Sequence, residues 1–214
     1  MRIAIFGASG ATGQLLTERS LAAGHQVTAL LRTPDTFLYR YRDRVHIVPG
    51  NAFDPQAIAR TLEGADAVLS ALGARSLKKE DVLERAIPLI VEAMHHANAR
   101  RIIALGSAGA LPDSLAKQPA YRRWISEKIL YKTLLKWPVA SQISQYATLS
   151  SSNLDWTMVM PPMLTNSHGR GSYRIDGDAL PRNGARIARA DVAEFMMQQL
   201  TSSDWLHKGV YLAW

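Results

Sequence analysis

Short apolar runs alternate along the chain with segments whose apolar residues recur at helical spacing. The runs are 2–7, 26–31, 45–49, 67–72, 101–106 and 156–161. Most are continuously apolar rather than alternating, the pattern of strands covered on both faces. Between them, 14–23, 55–62 and 82–97 read as helices, and in the last Leu83, Ala86, Ile87, Ile90 and Met94 mark one face. Pro88 sits inside that helix and predicts a kink. Strand, helix and strand repeated in this way imply parallel strands joined by right-handed crossovers. The predicted architecture is a doubly wound α/β domain, its sheet mostly parallel, with helices on both faces.

After Ser107 the rhythm changes. Residues 108–153 predict two helices, with breaks near Pro112, Pro119 and Trp137-Pro138. The Gly- and Arg-rich stretch 166–189 predicts an irregular excursion with a short hairpin. An amphipathic helix follows at 191–200, with Asp191 placed to favour its N-terminus, and 209–214 closes as a strand. No repeat or linker divides the sequence. Residues 1–214 are expected to form one domain, with substrate-side insertions at about 108–138 and 163–189.

Composition narrows the classes. A chain of 214 residues is long enough to bury a full core. The absence of cysteine excludes disulfides and thiolate metal sites and fits a cytoplasmic setting. The N-terminal run reads as a strand rather than a signal peptide, and no apolar stretch approaches the roughly twenty residues of a membrane span, so no membrane partner is expected. The net charge of +7 is concentrated in 117–136, where Lys117, Arg122, Arg123, Lys128, Lys132 and Lys136 face only Glu127. A weaker cluster, Arg32, Arg40, Arg42 and Arg44, is diluted by Asp35 and Asp43. No recognisable nucleic-acid module accompanies these cations, so nucleic acid is not an expected partner. His46, His95 and His96 lack metal-ligand spacing with carboxylates and read as structural or surface residues.

The opening "FGASGATG" carries the strongest chemical signal. Gly7, Gly10 and Gly13 follow a predicted strand and open a predicted helix, the context that a phosphate-binding turn requires. Gly7 allows the sharp turn, Gly10 lets a pyrophosphate approach the backbone, and Gly13 permits close helix packing. The first free amides of the helix, at Ala11 and Thr12, would then point at the phosphate. The second strand ends in Arg32, where an acidic residue would favour NADH by accepting from the ribose hydroxyls. A guanidinium pairs with a 2′-phosphate instead, so NADPH is the expected cofactor. Asn51 and Asp54 fall where the adenine would lie, and Asp54 also suits the N-cap of the helix starting at Pro55.

Taken in order, "GASGATG", Arg32, "GNAFDP", "SALG", "ALGSAGA", "LDWTMVMPPMLTN" and "ARADVAEF" resemble the atypical short-chain dehydrogenase/reductases. The nearest group is similar to the NAD(P)H-binding proteins related to biliverdin IXβ reductase/flavin reductase, with NmrA-like proteins more distant. The resemblance covers nearly the whole chain and implies a Rossmann-type sheet with substrate lying over the nicotinamide. It implies a cofactor-binding set of Gly7, Ser9, Gly10, Ala11, Thr12 and Gly13, then Arg32, Asn51 and Ala52. Ala71, Leu72, Gly73, Arg75, Pro161 and Met163 complete that set.

Ser107 stands where the family keeps its active-site serine, able to orient a polar atom of the substrate or relay a proton. The family's usual Tyr-x-x-x-Lys pair is absent: Tyr121, Tyr131 and Tyr146 are followed four residues on by Ile125, Leu135 and Ser150. Gln142 and Met163 align with pocket histidines of the biliverdin reductase, and neither can act as an acid. The implied activity is therefore NADPH-dependent hydride transfer to a planar conjugated acceptor, a flavin such as FMN serving as substrate, with a bilin or quinone as alternatives. A non-catalytic NADP(H)-binding sensor of NmrA-like type is the competing class. The basic aromatic segment around Trp124 is expected either to act as a substrate lid or to bury Trp124, Ile125, Ile129 and Leu134 as one helix face. The expected partner is a small planar, anionic acceptor, and the chain is expected to be a monomer or homodimer.

Overall fold

The computed structural model describes residues 1–33, 43–74, 76–109, 111–133 and 135–214. Ten strands and six α-helices follow in chain order: β1 Arg2–Phe6, α1 Ala11–Ala22, β2 Gln26–Leu31, β3 Val45–Pro49, α2 Pro55–Leu62, β4 Ala67–Ser70, α3 Val82–His96, β5 Arg101–Leu105, α4 Ala120–Ile125, α5 Lys136–Ser150, β6 Asp155–Met160, β7 Met163–Thr165, β8 Arg174–Asp176, β9 Arg186–Ala188, α6 Arg189–Gln198 and β10 Lys208–Ala213. Eight strands form the main sheet in the order β3-β2-β1-β4-β5-β6-β10-β8. Seven of them run parallel, and β8 closes the edge antiparallel to β10.

The continuous apolar runs are explained by burial on two faces. In β1, Ala4 and Phe6 pack into one core with α2, α3 and α5, while Ile3 and Ile5 face the other core with α1 and α6. A polar residue at any of these four positions would be buried on whichever face it met. Asp54 caps α2 as its position predicts, accepting from Gln56 N at 3.0 Å and Ala57 N at 3.3 Å, with Pro55 in the first turn. Helix α3 runs on through Pro88 without interruption. That proline is exposed, so the missing N–H lies on the solvent side.

The second half departs from its sequence pattern at 166–189. The stretch 166–189 contains no hairpin: β7 pairs in parallel with β9 as a separate two-stranded ribbon, and β8 joins the main sheet. Asp191 supplies the reason. It lies in the first turn of α6, but its carboxylate is buried and accepts from Arg170 N, Gly171 N and Trp214 Nε1. The excursion is thereby clamped to α6 and to the end of β10 instead of folding on itself. In the other insertion, the break expected near Trp137-Pro138 is where α5 begins, and Pro138 falls in the first turn, where its missing N–H costs little.

Candidate active site

The strand order reverses direction between β1 and β4. Loops leaving the carboxyl ends of the strands diverge at such a point and leave a crevice. A cleft of about 1250 Å³ opens there, lined by Phe6 at the end of β1 and Gly7 after it, Arg32 after β2, Gly50 and Asn51 after β3, and Ser107 after β5. Sites for one drug-sized ligand span roughly 300–1,000 Å³, so this cleft has room for a dinucleotide and a second molecule.

Its floor is the glycine turn. Gly7 adopts φ +81°, and a Cβ there would lie 2.7 Å from Ala71 O, so the turn is closed against the end of β4. A Cβ on Gly13 would lie only 2.1 Å from Gly7 O. Helix α1 therefore sits directly on the turn, with its N-terminus at the cleft. Gly10 is the N-cap and no side chain caps the helix, while Ser9, Gly10, Ala11 and Thr12 line the cleft. Uncapped amides with the positive helix end behind them form a natural seat for a pyrophosphate. These residues fit a dinucleotide.

The remaining expected residues fall in different places. Arg32, Asn51, Ala52, Ala71, Leu72 and Gly73 all line the cleft, as do Ser107 and Gln142. Gly13 is buried beneath the turn and acts by permitting contact rather than by lining. Arg75 lies outside the described residues, as do Arg40 and Arg42 of the second basic cluster. Pro161, Met163 and Trp124 are not in the cleft wall. Pro161 accepts from Ala108 N at 2.9 Å and so holds the Ser107 loop from behind. Met163 is 64% exposed on β7 and faces away. Asp54, expected beside the adenine, spends its carboxylate on the α2 cap.

The basic aromatic segment does not bury a helix face. Helix α4 buries no residue, and Tyr121, Trp124, Ile125 and Ile129 are all exposed, so no face of it packs into a core. Leu134 lies outside the described residues. The start of the segment is tethered to residues 176–181: Lys117 pairs with Asp176, and Gln118 donates to the carbonyls of Leu180 and Pro181. The cleft wall is instead completed by the start of α5, through Leu135, Pro138, Val139 and Gln142. Trp137 stands at its rim, with Lys79 Nζ 5.3 Å from the ring.

Ser107 follows β5 on a loop pinned by Gly106 N to Val159 O and Ala108 N to Pro161 O, and it is half-buried. Among the described residues its hydroxyl has no hydrogen-bond partner, which leaves it available to a ligand. Tyr131 packs behind the loop against Gly109, and burial, with Glu127 adding, pushes its phenol above the ordinary value. It is therefore a neutral packing group at neutral pH. Sequence reasoning missed Phe53, Lys79, Leu164 and Arg189, all in the wall. Arg189 lay inside the "ARADVAEF" motif but was not singled out; its guanidinium donates to Asn166 Oδ1 at 2.7 Å, which orders the ribbon at the cleft edge. Phe53 and Leu164 likewise lay inside "GNAFDP" and "LDWTMVMPPMLTN" without being singled out, and no local pattern pointed to Lys79. His46, His95 and His96 are exposed, and no group of three metal-ligating side chains occurs among the described residues.

A family model described as NAD(P)H-binding matches residues 7–203. Among solved structures, the chain is similar to a short-chain dehydrogenase/reductase from Veillonella parvula DSM 2008 in complex with NADP, with TM-score 0.82, 22% identity and coverage of 100% of this chain and 94% of that one. It is similar to ChuY, an anaerobilin reductase from Escherichia coli O157:H7, with TM-score 0.80, 21% identity and coverage of 100% and 97%. It is also similar to SP1627 from Streptococcus pneumoniae TIGR4, a proposed NADH-flavin reductase, with TM-score 0.79, 24% identity and coverage of 100% and 99%. At these identities the likeness establishes the shared fold. No helix among the described residues is long and apolar enough to cross a membrane.

Proposed function

This chain belongs to that NAD(P)H-binding family, and on that premise we propose that it is an NADPH-dependent reductase of planar conjugated acceptors, with a flavin such as FMN first among them and a bilin or quinone next. One observation carries the reading: a single cleft runs from the uncapped N-terminus of α1 and Arg32 to Ser107 and Gln142. The glycine turn and the α1 amides seat the pyrophosphate. Arg32, exposed at the end of β2, pairs with the 2′-phosphate and sets the preference over NADH. Ala71, Leu72 and Gly73 carry the backbone past the ribose toward the nicotinamide. When bound, NADPH supplies the hydride, and the protein contributes position and exclusion of water. Ser107 orients the acceptor from the end of β5, and Leu135, Pro138 and Val139 form an apolar wall for a flat ring. The names of the anaerobilin reductase and the proposed flavin reductase support an acceptor of this class.

The lack of a Tyr-x-x-x-Lys pair favours one second reading, a non-catalytic NADP(H) sensor. Both readings require dinucleotide binding, so binding alone does not separate them. Sustained NADPH oxidation with FMN, riboflavin, a bilin or a quinone supports the reductase. Tight NADPH binding with no acceptor reduced across that panel overturns it.

A further inference from the structure

Gln145 lies on α5 facing the end of β5, completely buried. Its side-chain nitrogen donates to Leu105 O at 3.0 Å and to Gln142 Oε1 at 3.0 Å. A side-chain amide keeps its shape when turned over, so its polarity must come from its partners. Here the partner is unambiguous, because the Leu105 carbonyl can only accept. The nitrogen of Gln145 must face it, and its second N–H is then directed at Gln142. Gln142 must answer with oxygen. Its own NH2 group is left over, on a half-buried residue that lines the cleft near Ser107. A second observation points the same way: Gln145 Oε1 is buried with no hydrogen-bond partner. An unpaired buried acceptor is costly, and such a cost retained in a fold calls for a reason. The reason available is the polarity imposed on Gln142.

We propose that Gln142 is the hydrogen-bond donor that meets the acceptor in the cleft, that Gln145 is the positioning residue that holds it in this polarity, and that the cleft consequently selects acceptors bearing a carbonyl oxygen conjugated to the atom reduced. This rests on the reductase reading and narrows its substrate class. Hydride transfer moves two electrons and one proton from the reduced nicotinamide, which becomes oxidised. The acceptor's π bond opens, and the displaced electron pair comes to rest on the conjugated oxygen. An N–H already aimed at that oxygen stabilises the developing charge without reorganisation. The proton that neutralises the oxygen comes from water, since an amide cannot supply it. The arrangement provides electrostatic help in a site without a tyrosine acid.

Two arms test this on the full-length protein. In the first, the side-chain NH2 signals of Gln142 and Gln145 are identified by 15N NMR from their loss in Gln142→Leu and Gln145→Leu. The Gln145 pair should exchange with solvent far more slowly than that of exposed Gln56. The Gln142 pair should shift when menadione is added to NADP⁺-saturated protein, and this shift should vanish in Gln145→Leu. Exchange of Gln145 as fast as Gln56, or a Gln142 shift that survives Gln145→Leu, overturns the proposal.

In the second arm, the ratio of kcat/KM for menadione to that for methylene blue, a flat acceptor without a carbonyl, should fall about tenfold in either single variant, the loss of about one such hydrogen bond. The double variant should fall no further than Gln142→Leu alone, because Gln145 acts through Gln142. Equal losses for both acceptors, or additive losses in the double variant, show a merely structural role and also overturn it. If the wild type reduces no acceptor, the reductase reading is what fails, and the NMR arm alone decides the amide polarity.

Discussion

Replacing Gly13 with alanine tests whether α1 truly rests on the glycine turn. In a helix interior this change normally stabilises, by about 0.8–1.0 kcal/mol of helix propensity. Here the added Cβ would lie 2.1 Å from Gly7 O and 2.8 Å from both Gly7 C and Ala8 Cα. All three neighbours are backbone, so no side chain can swing aside. Reaching the shortest tolerable separation of 3.0 Å requires the helix to lift by 0.9 Å at its first turn. Overpacking of this kind costs about 1–3 kcal/mol and sometimes more. With rigid neighbours the upper end applies, and the propensity gain leaves a net loss of about 2 kcal/mol. A chain of this size loses roughly 2–4 °C in Tm per kcal/mol, so Gly13→Ala should melt about 4–8 °C below wild type. The same lift withdraws the Ala11 and Thr12 amides from the phosphate, and NADPH affinity should fall at least about tenfold. Calorimetry and a fluorescence titration of NADPH measure the two effects. Gly73→Ala is the control: nothing lies within 4 Å of its added Cβ, and its Tm should stay within about 1 °C. If Gly13→Ala melts at or above wild type, propensity has prevailed and the close seat of α1 on the turn is refuted.

Other outcomes follow from the same geometry. Arg32→Glu should raise the NADPH Kd about a hundredfold while changing the NADH Kd by less than about threefold, since only the former carries the 2′-phosphate. Equal losses for the two cofactors would remove Arg32 from that role. Ser107→Ala should lower kcat about tenfold with NADPH affinity nearly intact, and an unchanged kcat would take its hydroxyl out of the mechanism. Burial alone would raise the Asp176 carboxyl, but hydrogen bonds from the Lys117 ammonium and the Asp178 and Ala179 amides hold it below the ordinary value. A depressed carboxyl contributes stability above its unfolded pKa and loses it as pH falls through the folded one. The Tm gap between wild type and Asp176→Asn should therefore be full at pH 7 and close in acid below the ordinary carboxylate range. A gap independent of pH would show that the Lys117–Asp176 pair contributes nothing.

The order of elements through β5 was legible because the central strands β1, β4 and β5 are buried on both faces. Burial of that kind favours an unbroken apolar run; α3 carries one too, at residues 86–91, and there the helical spacing of the whole segment separated helix from strand. The glycine turn was legible for a related reason: two backbones meeting at Gly7 and Gly13 leave no room for a side chain, so the constraint is written as residue identity. Arg32 and Ser107 could be placed because each stands at a strand end, and strand ends in a parallel sheet converge on one crevice.

Elsewhere, local pattern was insufficient. Nothing near Met163 says that its side chain faces solvent, since the direction of β7 is set by its partner β9, 21 residues away at the Thr165–Arg186 separation. The hairpin expected in 166–189 failed because the Asp191 carboxylate holds that segment from a helix further along the chain. The aromatic residues of α4 looked like either a lid or a buried face, and their exposure removes the buried face. Most hidden was the polarity of Gln142, which depends on a carbonyl at the end of β5 acting through a buried amide. The sequence alone determined which segments bury themselves and where two backbones must touch, because those demands restrict the residues allowed. Only the tertiary structure decided which polar groups face the cleft and in which orientation, because their partners come from distant parts of the chain.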